Sequence, residues 1–351
     1  MRDVAVVAFS QLPSVRRDTE REEVELVQPV VRGALGQVGL KIAEVGFTVS
    51  GSADFLLGRP FSFVSALDGV GAWPPISESH VEMDGAWALY EAWVHLQSGH
   101  IDTALVYAYG KSSLGSLRDV LVQQLDPYCV APLGPDSISL AALQARALLD
   151  AGRCTERDLA EIAARNRASA KGNPFAQLSG DFDPAALLRE PYLVEPLRKH
   201  DCAPISDGAS AIVLAAGDCA KKLCAHPAWI RGIDHRVEPH SLGARDLTES
   251  PSTKLAAEKA GVHRAAVDFA ELYAPFTHQE IILTEAMGLG RSVRLNPSGG
   301  VLSGNPVMVA GLSRIGEAAS RLSRGEGKRA VAHATSGPCL QQNLVCVLEV
   351  S

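Results

Sequence analysis

No apolar run in this 351-residue chain approaches the roughly 20 residues that a spanning helix needs. The longest, such as Ala209 to Ala216, fall well short, so no membrane span is expected. A dense block of positive charge is also missing. Against 40 acidic residues stand 33 basic ones, a formal charge of −7, which excludes a surface built to neutralise many phosphates; nucleic acid is not an expected partner. The seven cysteines are an odd set without a Cys-x-x-Cys pair and without a secretory signal before them, and a reducing cytoplasm is the expected compartment. There is no His-x-x-x-His and no acidic calcium loop, so no metal is expected. Neither Gly288-Leu289-Gly290 nor Gly299-Gly300 continues into a dinucleotide fingerprint, so no bound redox cofactor is expected. What the chain does have is 46% apolar and 21% charged residues. That composition excludes disorder, a collagen-like fibre and a disulfide-stapled scaffold, and it suffices for one large or two ordinary domains.

Asp3 to Phe9 is a short β-branched run of the kind that fills a strand buried on both faces. Glu22 to Val38 has helical apolar spacing and stops at Gly39. From Ala86 to Leu96 the spacing is again helical, Ser98-Gly99 ends it, and Ile101 to Ala108 reads as a buried strand. This unit returns near the other end of the chain. Glu91 to Gly99 before Thr103–Ala108 is echoed by Glu317 to Gly325 before Arg329–Ala334, and the strands run into Gly110-Lys111-Ser112 and Thr335-Ser336-Gly337. A second echo pairs Ala209–Leu214 with Asn343–Leu348. Two α/β halves built alike imply an internal duplication. Between them, from about 116 to 200, a helical stretch (Leu140–Leu149, Arg157–Ala168) reads as an insertion lying over the core, a natural substrate cover. Residues 226 to 252, rich in His, Pro and Ser, read as a link between the halves.

Three segments narrow the reading. Cys202-Ala-Pro-Ile-Ser-Asp-Gly-Ala-Ser-Ala211 joins a tight turn to a buried strand. Glu271-Leu-Tyr-Ala-Pro-Phe-Thr277 ends a strand and opens a helix. Asn296-Pro-Ser-Gly-Gly300, followed by Gly304-Asn305-Pro306, is a glycine-rich turn whose amides can face a bound group. In this order and spacing they resemble the thiolase superfamily, in particular its lipid-transfer, sterol-carrier-like branch. The resemblance spans nearly the whole chain. It implies an α/β chain with a duplicated five-layer αβαβα fold and a loop domain inserted in the first half: residues 1–225, with the insertion at about 116–200, then 226–351.

The positions that carry thiolase chemistry all differ here. Counting back three from Gly85, the place of the family's nucleophilic cysteine falls on Glu82, a poor acyl acceptor because an anhydride is no more stable than the thioester it comes from. The family's histidine becomes Asn305, which takes no proton at neutral pH but donates a hydrogen bond. The Asn or His before a short turn becomes Tyr273, and the acid/base cysteine falls near Gly337, with Cys339 two residues on. Steroid side-chain aldolases of the lipid-transfer branch carry tyrosine at the turn of Tyr273. Resemblance to them implies retro-aldol cleavage of a 3-hydroxyacyl-CoA, a steroid or bile-acid side chain, without a covalent cysteine intermediate. Tyr273 would be the acid/base group, and Asn305 with the amides of Ser298, Gly299 and Gly300 would hold the thioester oxygen. The second tyrosine of those aldolases is missing, and His278 and His333 are the nearest replacements by motif position. The resemblance also implies a CoA thioester as substrate rather than a cofactor. It implies a dimer through edge pairing of central sheets, with a second copy or a thiolase-like relative, and a small DUF35-type companion with an OB fold and a zinc ribbon.

Each residue has a structural alternative. Tyr273 could be a buried aromatic, Glu82 a cap or ion-pair partner, Cys339 a small filler and His278 a satisfied core histidine. At the level of the whole chain, a non-catalytic subunit that binds acyl-CoA or scaffolds an active partner stays open, as does Claisen chemistry with Cys339 as nucleophile.

Overall fold

The computed structural model describes residues 1–350. The first half runs β1 (Val4–Gln11), α1 (Glu23–Val38), β2 (Phe47–Gly51), α2 (Asp54–Leu57), α3 (Phe63–Val70), β3 (Glu78–Val81), α4 (Gly85–Gln97) and β4 (Thr103–Lys111). An insertion follows: α5 (Leu117–Val122), α6 (Ser137–Asp150), α7 (Glu156–Ser169), α8 (Pro184–Leu187) and the hairpin β5 (Tyr192–Val194) and β6 (Leu197–Arg198). Then come β7 (Asp207–Ala216) and α9 (Gly217–Leu223). The second half is β8 (Ala228–Val237), α10 (Pro251–Ala260), β9 (Phe269–Glu271), α11 (Thr277–Ala286), β10 (Arg294–Leu295), α12 (Ala310–Ser323), β11 (Arg329–Ser336) and β12 (Gln342–Glu349).

The strands hydrogen bond in the order β3-β2-β4-β7-β1-β8-β12-β11-β9-β10, the same sequence of five read outward twice from the β1–β8 seam. Pairing repeats with it. β2–β4 and β9–β11 are parallel, whereas β4–β7 and β11–β12 are antiparallel. The two sequence echoes therefore fall on topologically equivalent elements, α4–β4 with α12–β11 and β7 with β12. Gly99 (φ 81°) and Gly325 (φ 79°) follow the two helices in the left-handed conformation that a side chain would strain.

Apolar strands buried on both faces demand cover on both. α1, α3 and α9 pack on the outer face of the first five strands. α4 and α12 fill the space between the two sets. α10 and α11, with α6 from the insertion, cover the far face of the second set. The result is the five-layer duplicated fold with an insertion that the sequence implies. The inner layer is tight enough to need glycine. A Cβ on Gly311 would lie 2.4 Å from an Asp84 carboxylate oxygen and 2.7 Å from the Ala334 Cβ.

One expectation is corrected. Residues 228–237, read as part of a link, form a ten-residue strand paired to both β1 and β12. Only part of it is buried, so Arg231, Asp234 and Arg236 interrupt the apolar run that marks the other long strands.

Candidate active site

Two parallel strands of the second half, β9 and β11, deliver their carboxyl ends to one place, where ligands collect in α/β sheets. Tyr273 lies two residues beyond β9, and Ser336 to Leu340 carry the chain on from the end of β11. Together with Asn305 and Asp84 they bound a cavity of about 230 Å³. The insertion forms its apolar wall through Leu117, Leu121, Ile138 and Leu140.

Asp84 sits where the two central helices begin. It caps α4 by accepting the Ala86 N–H (2.8 Å), and it also accepts the N–H groups of Gly311 (2.9 Å) and Leu312 (3.1 Å) from the first turn of α12. Two helix N-termini, one from each half, thus converge on a single carboxylate. Burial in this apolar layer outweighs those donors and pushes its pKa up to about 6.

Tyr273 is 5% exposed and lines the same cavity. Burial, reinforced by the Asp84 carboxylate, pushes its pKa far up, so the phenol keeps its proton and is equipped as an acid rather than a base. The Asn305 backbone N–H is tied to Ser206 Oγ (2.9 Å), while its side-chain oxygen is buried with no partner among the described residues. Rotated about χ2, the amide presents its NH₂ group there, so it offers either a donor or an acceptor to a ligand. Cys339 lines the cavity in the left-handed conformation (φ 53°), with its thiol 3.5 Å from the Leu140 carbonyl oxygen. Burial pushes its pKa up to about 11. The second cavity thiol, Cys202, is pushed up to about 12 for the same reason.

The other anticipated residues lie elsewhere. Glu82 is exposed and binds the Asp54 N–H (2.5 Å) and His80 Nε2 (3.2 Å); the carboxylate at the start of α4 is Asp84, two residues on. The amides of Ser298, Gly299 and Gly300 are already taken. Ser298 N–H donates to Glu271 Oε1 (2.9 Å), Gly299 N–H to the Asn296 carbonyl (2.8 Å) and Gly300 N–H to Ser298 Oγ (3.4 Å). The physical reason is Glu271, a fully buried carboxylate at the end of β9 that must be supplied with donors. Arg314 completes its set at 2.8 Å. His278 is buried on α11 with Nε2 3.2 Å from Gln144 Oε1, and His333 is buried on β11 with Nε2 3.0 Å from Asn343 Oδ1. Neither lines the cavity. Burial pushes their pKa values down to about 3 and about 4, so both are neutral.

Those histidines predict a pH effect on stability. Their folded pKa values lie below the ordinary value of 6.5, so the unfolded chain binds more protons. Stability is fully present above about pH 6.5 and is lost as pH falls toward about 4. At pH 5 each histidine is expected to cost about 2 kcal/mol. Urea denaturation at pH 7 and pH 5 checks this, and His278→Gln should shrink the difference; an unchanged difference would count against it.

No family model matches the chain. What the comparisons show is a thiolase fold and a sequence similar to curated thiolases and sterol carrier protein 2. The chain is 27% identical to an acetyl-CoA acetyltransferase of Methanothermobacter thermautotrophicus, over 96% of this chain and 95% of that one. It is 27% identical to the benzoylsuccinyl-CoA thiolase subunit BbsB of Thauera aromatica, over 58% and 60%. With sterol carrier protein 2 of Gallus gallus the identity is 25% over 79% of this chain, which spans 57% of that longer protein. Among solved structures, the Ltp2-ChsH2(DUF35) aldolase superposes with a TM-score of 0.82 at 20% identity, covering 99% of this chain and 98% of that one. Human mitochondrial 3-ketoacyl-CoA thiolase superposes with a TM-score of 0.78 at 16% identity, covering 100% and 99%. Relatives of this fold are enzymes. Among the described residues, no helix is long and apolar enough to cross a membrane.

Proposed function

We propose that the protein is a carbon–carbon lyase that cleaves a 3-hydroxyacyl-CoA by a retro-aldol reaction. The observation that carries this reading is the character of the cavity groups. The cavity holds a carboxylate, Asp84, at the opening of α4, and both of its cysteines are held protonated by burial. Acyl capture is thereby disfavoured, whereas cleavage of the Cα–Cβ bond asks only for proton transfer and a hydrogen bond to the thioester oxygen. Tyr273 supplies a proton and Asn305 the hydrogen bond. The name of the Ltp2-ChsH2(DUF35) aldolase, whose fold this chain shares, supports the same reaction type.

That name and the subunit name BbsB also support a working complex with a DUF35-type companion or a second thiolase-like chain. Exposed Leu114, Tyr128 and Leu133 lie in sequence next to the insertion residues that line the cavity, and a companion seated there would extend the apolar wall for a steroid-sized acyl group.

The test is to co-express the chain with its neighbouring genes and incubate the purified assembly with a 3-hydroxyacyl-CoA steroid. Mass spectrometry is expected to find a ketone and a shortened CoA ester. Substrate that binds and is recovered intact would favour a scaffold subunit instead. A second expectation separates lyase from Claisen chemistry. At pH 7.5 iodoacetamide should label exposed Cys129 and spare Cys339, and Cys339→Ala should keep at least about half the cleavage rate. Loss of activity on selective alkylation of Cys339 would restore the thiol mechanism.

A further inference from the structure

We infer that Asp84 is the base of this site, its carboxylate removing the proton of the substrate's 3-hydroxyl. The assignment rests on the retro-aldol reading and adds to it the group that starts the reaction.

Asp84 is the one acidic side chain among the described residues that line the cavity. A carboxylate has about four acceptor positions. Ala86 and Leu312 occupy two on Oδ1, and Gly311 occupies one on Oδ2. One position on Oδ2 is left for a proton. The three donors are all main-chain amides, so the carboxylate is held by the helices themselves and does not need to reorganise during reaction. Arg314 on α12 favours its anion, the neutral phenol of Tyr273 lines the same cavity, and the other titratable or charged groups of that lining are Arg118 of the insertion and the protonated thiols of Cys202 and Cys339. With its pKa near 6, Asp84 is ionised at neutral pH and still basic enough to accept a proton in the transition state.

The step balances. Asp84 Oδ2 takes the hydroxyl proton and the O–H electron pair becomes the new C=O at Cβ. The Cα–Cβ bond breaks and its pair passes to the thioester as an enolate, hydrogen bonded to Asn305. The Tyr273 phenol protonates Cα, and the proton on Asp84 returns to the phenolate as the ketone leaves. Nothing is oxidised or reduced overall, and both protein groups end as they began.

The experiment compares wild type, Asp84→Asn, Asp84→Ser and Glu82→Gln in the co-expressed assembly with the steroid 3-hydroxyacyl-CoA. Asparagine and serine both cap helices, so each variant preserves the start of α4. Asp84→Asn and Asp84→Ser are expected to lose about 100-fold or more in kcat with KM changed by less than about threefold, and Glu82→Gln to match wild type. The wild-type rate should rise tenfold per pH unit up to about pH 6 and then flatten, because the base must be ionised. A folded Asp84→Asn protein that cleaves within about threefold of wild type overturns the assignment and leaves the retro-aldol reading standing. A wild-type assembly that releases no ketone overturns both. If neither Asp84 variant folds, the wild-type profile decides: a rise through about pH 6 supports the assignment, and a flat rate from pH 5 to 8 overturns it.

Discussion

Replacing Tyr273 with phenylalanine is expected to lower kcat for cleavage by about 10²- to 10⁴-fold while leaving the fold intact. The ring is buried in the inner layer between the two sheets, so phenylalanine preserves its packing and removes only the hydroxyl. That hydroxyl carries a proton held firmly by burial and by the neighbouring carboxylate. The enolate left by Cα–Cβ cleavage is a strong base and takes such a proton readily, and Tyr273 is the one phenol among the described residues that line the cavity. Single-turnover cleavage followed by mass spectrometry measures the effect, with circular dichroism as the check on folding. Cleavage at the wild-type rate would remove Tyr273 from the mechanism.

The second large effect concerns stability. Arg314→Met is expected to destabilise the protein by about 3–5 kcal/mol. Glu271 is fully buried, and Arg314 is its nearest cation at 2.8 Å; Arg314 also donates to Ser298 Oγ. Arg321 is 3.7 Å from the same carboxylate but is shared with Glu317 and Glu326, so it compensates only in part. Removing Arg314 leaves a buried carboxylate short of charge and of a donor, the costly case for an ion pair. Adding Glu271→Gln should recover part of the loss, because the uncompensated charge goes with it. Guanidinium denaturation of the single and double variants measures both numbers. A single variant within about 0.5 kcal/mol of wild type would show that Arg321 alone suffices.

Particular residues show how much of this was legible in the sequence. The repeat was readable because α4 and α12 each end in a left-handed glycine before an apolar strand, a pattern set by local backbone chemistry. That Tyr273, Asn305 and Cys339 share one cavity was readable because turns put them at one end of the sheet. Glu82 does not line the cavity and Asp84 does: counting back from a glycine fixes a position in sequence, whereas the helix opens one residue after Asp84 and turns that side chain inward. An Asp directly before a Gly-Ala-Trp helix start is an N-cap signal, and reading it as such would have found the residue. The engagement of Ser298 to Gly300 was hidden for another reason. Nothing local marks Glu271 as buried, and only the packing of α12 against β9 reveals a carboxylate that takes up the turn's amides. β8 was hidden because a partly exposed strand carries charges that resemble a linker.

The main-chain clasp on Asp84 separates the chemistry of the site from its selectivity. The proposed acid–base groups are set by helix openings and strand ends of the two halves, while the apolar wall of the cavity comes largely from the insertion, through Leu117, Leu121, Ile138 and Leu140. Substitutions there reshape the chamber without disturbing Asp84, Tyr273 or Asn305. A descendant of this chain could alter the shape of its pocket through a few leucines and keep the polar groups at its base unchanged.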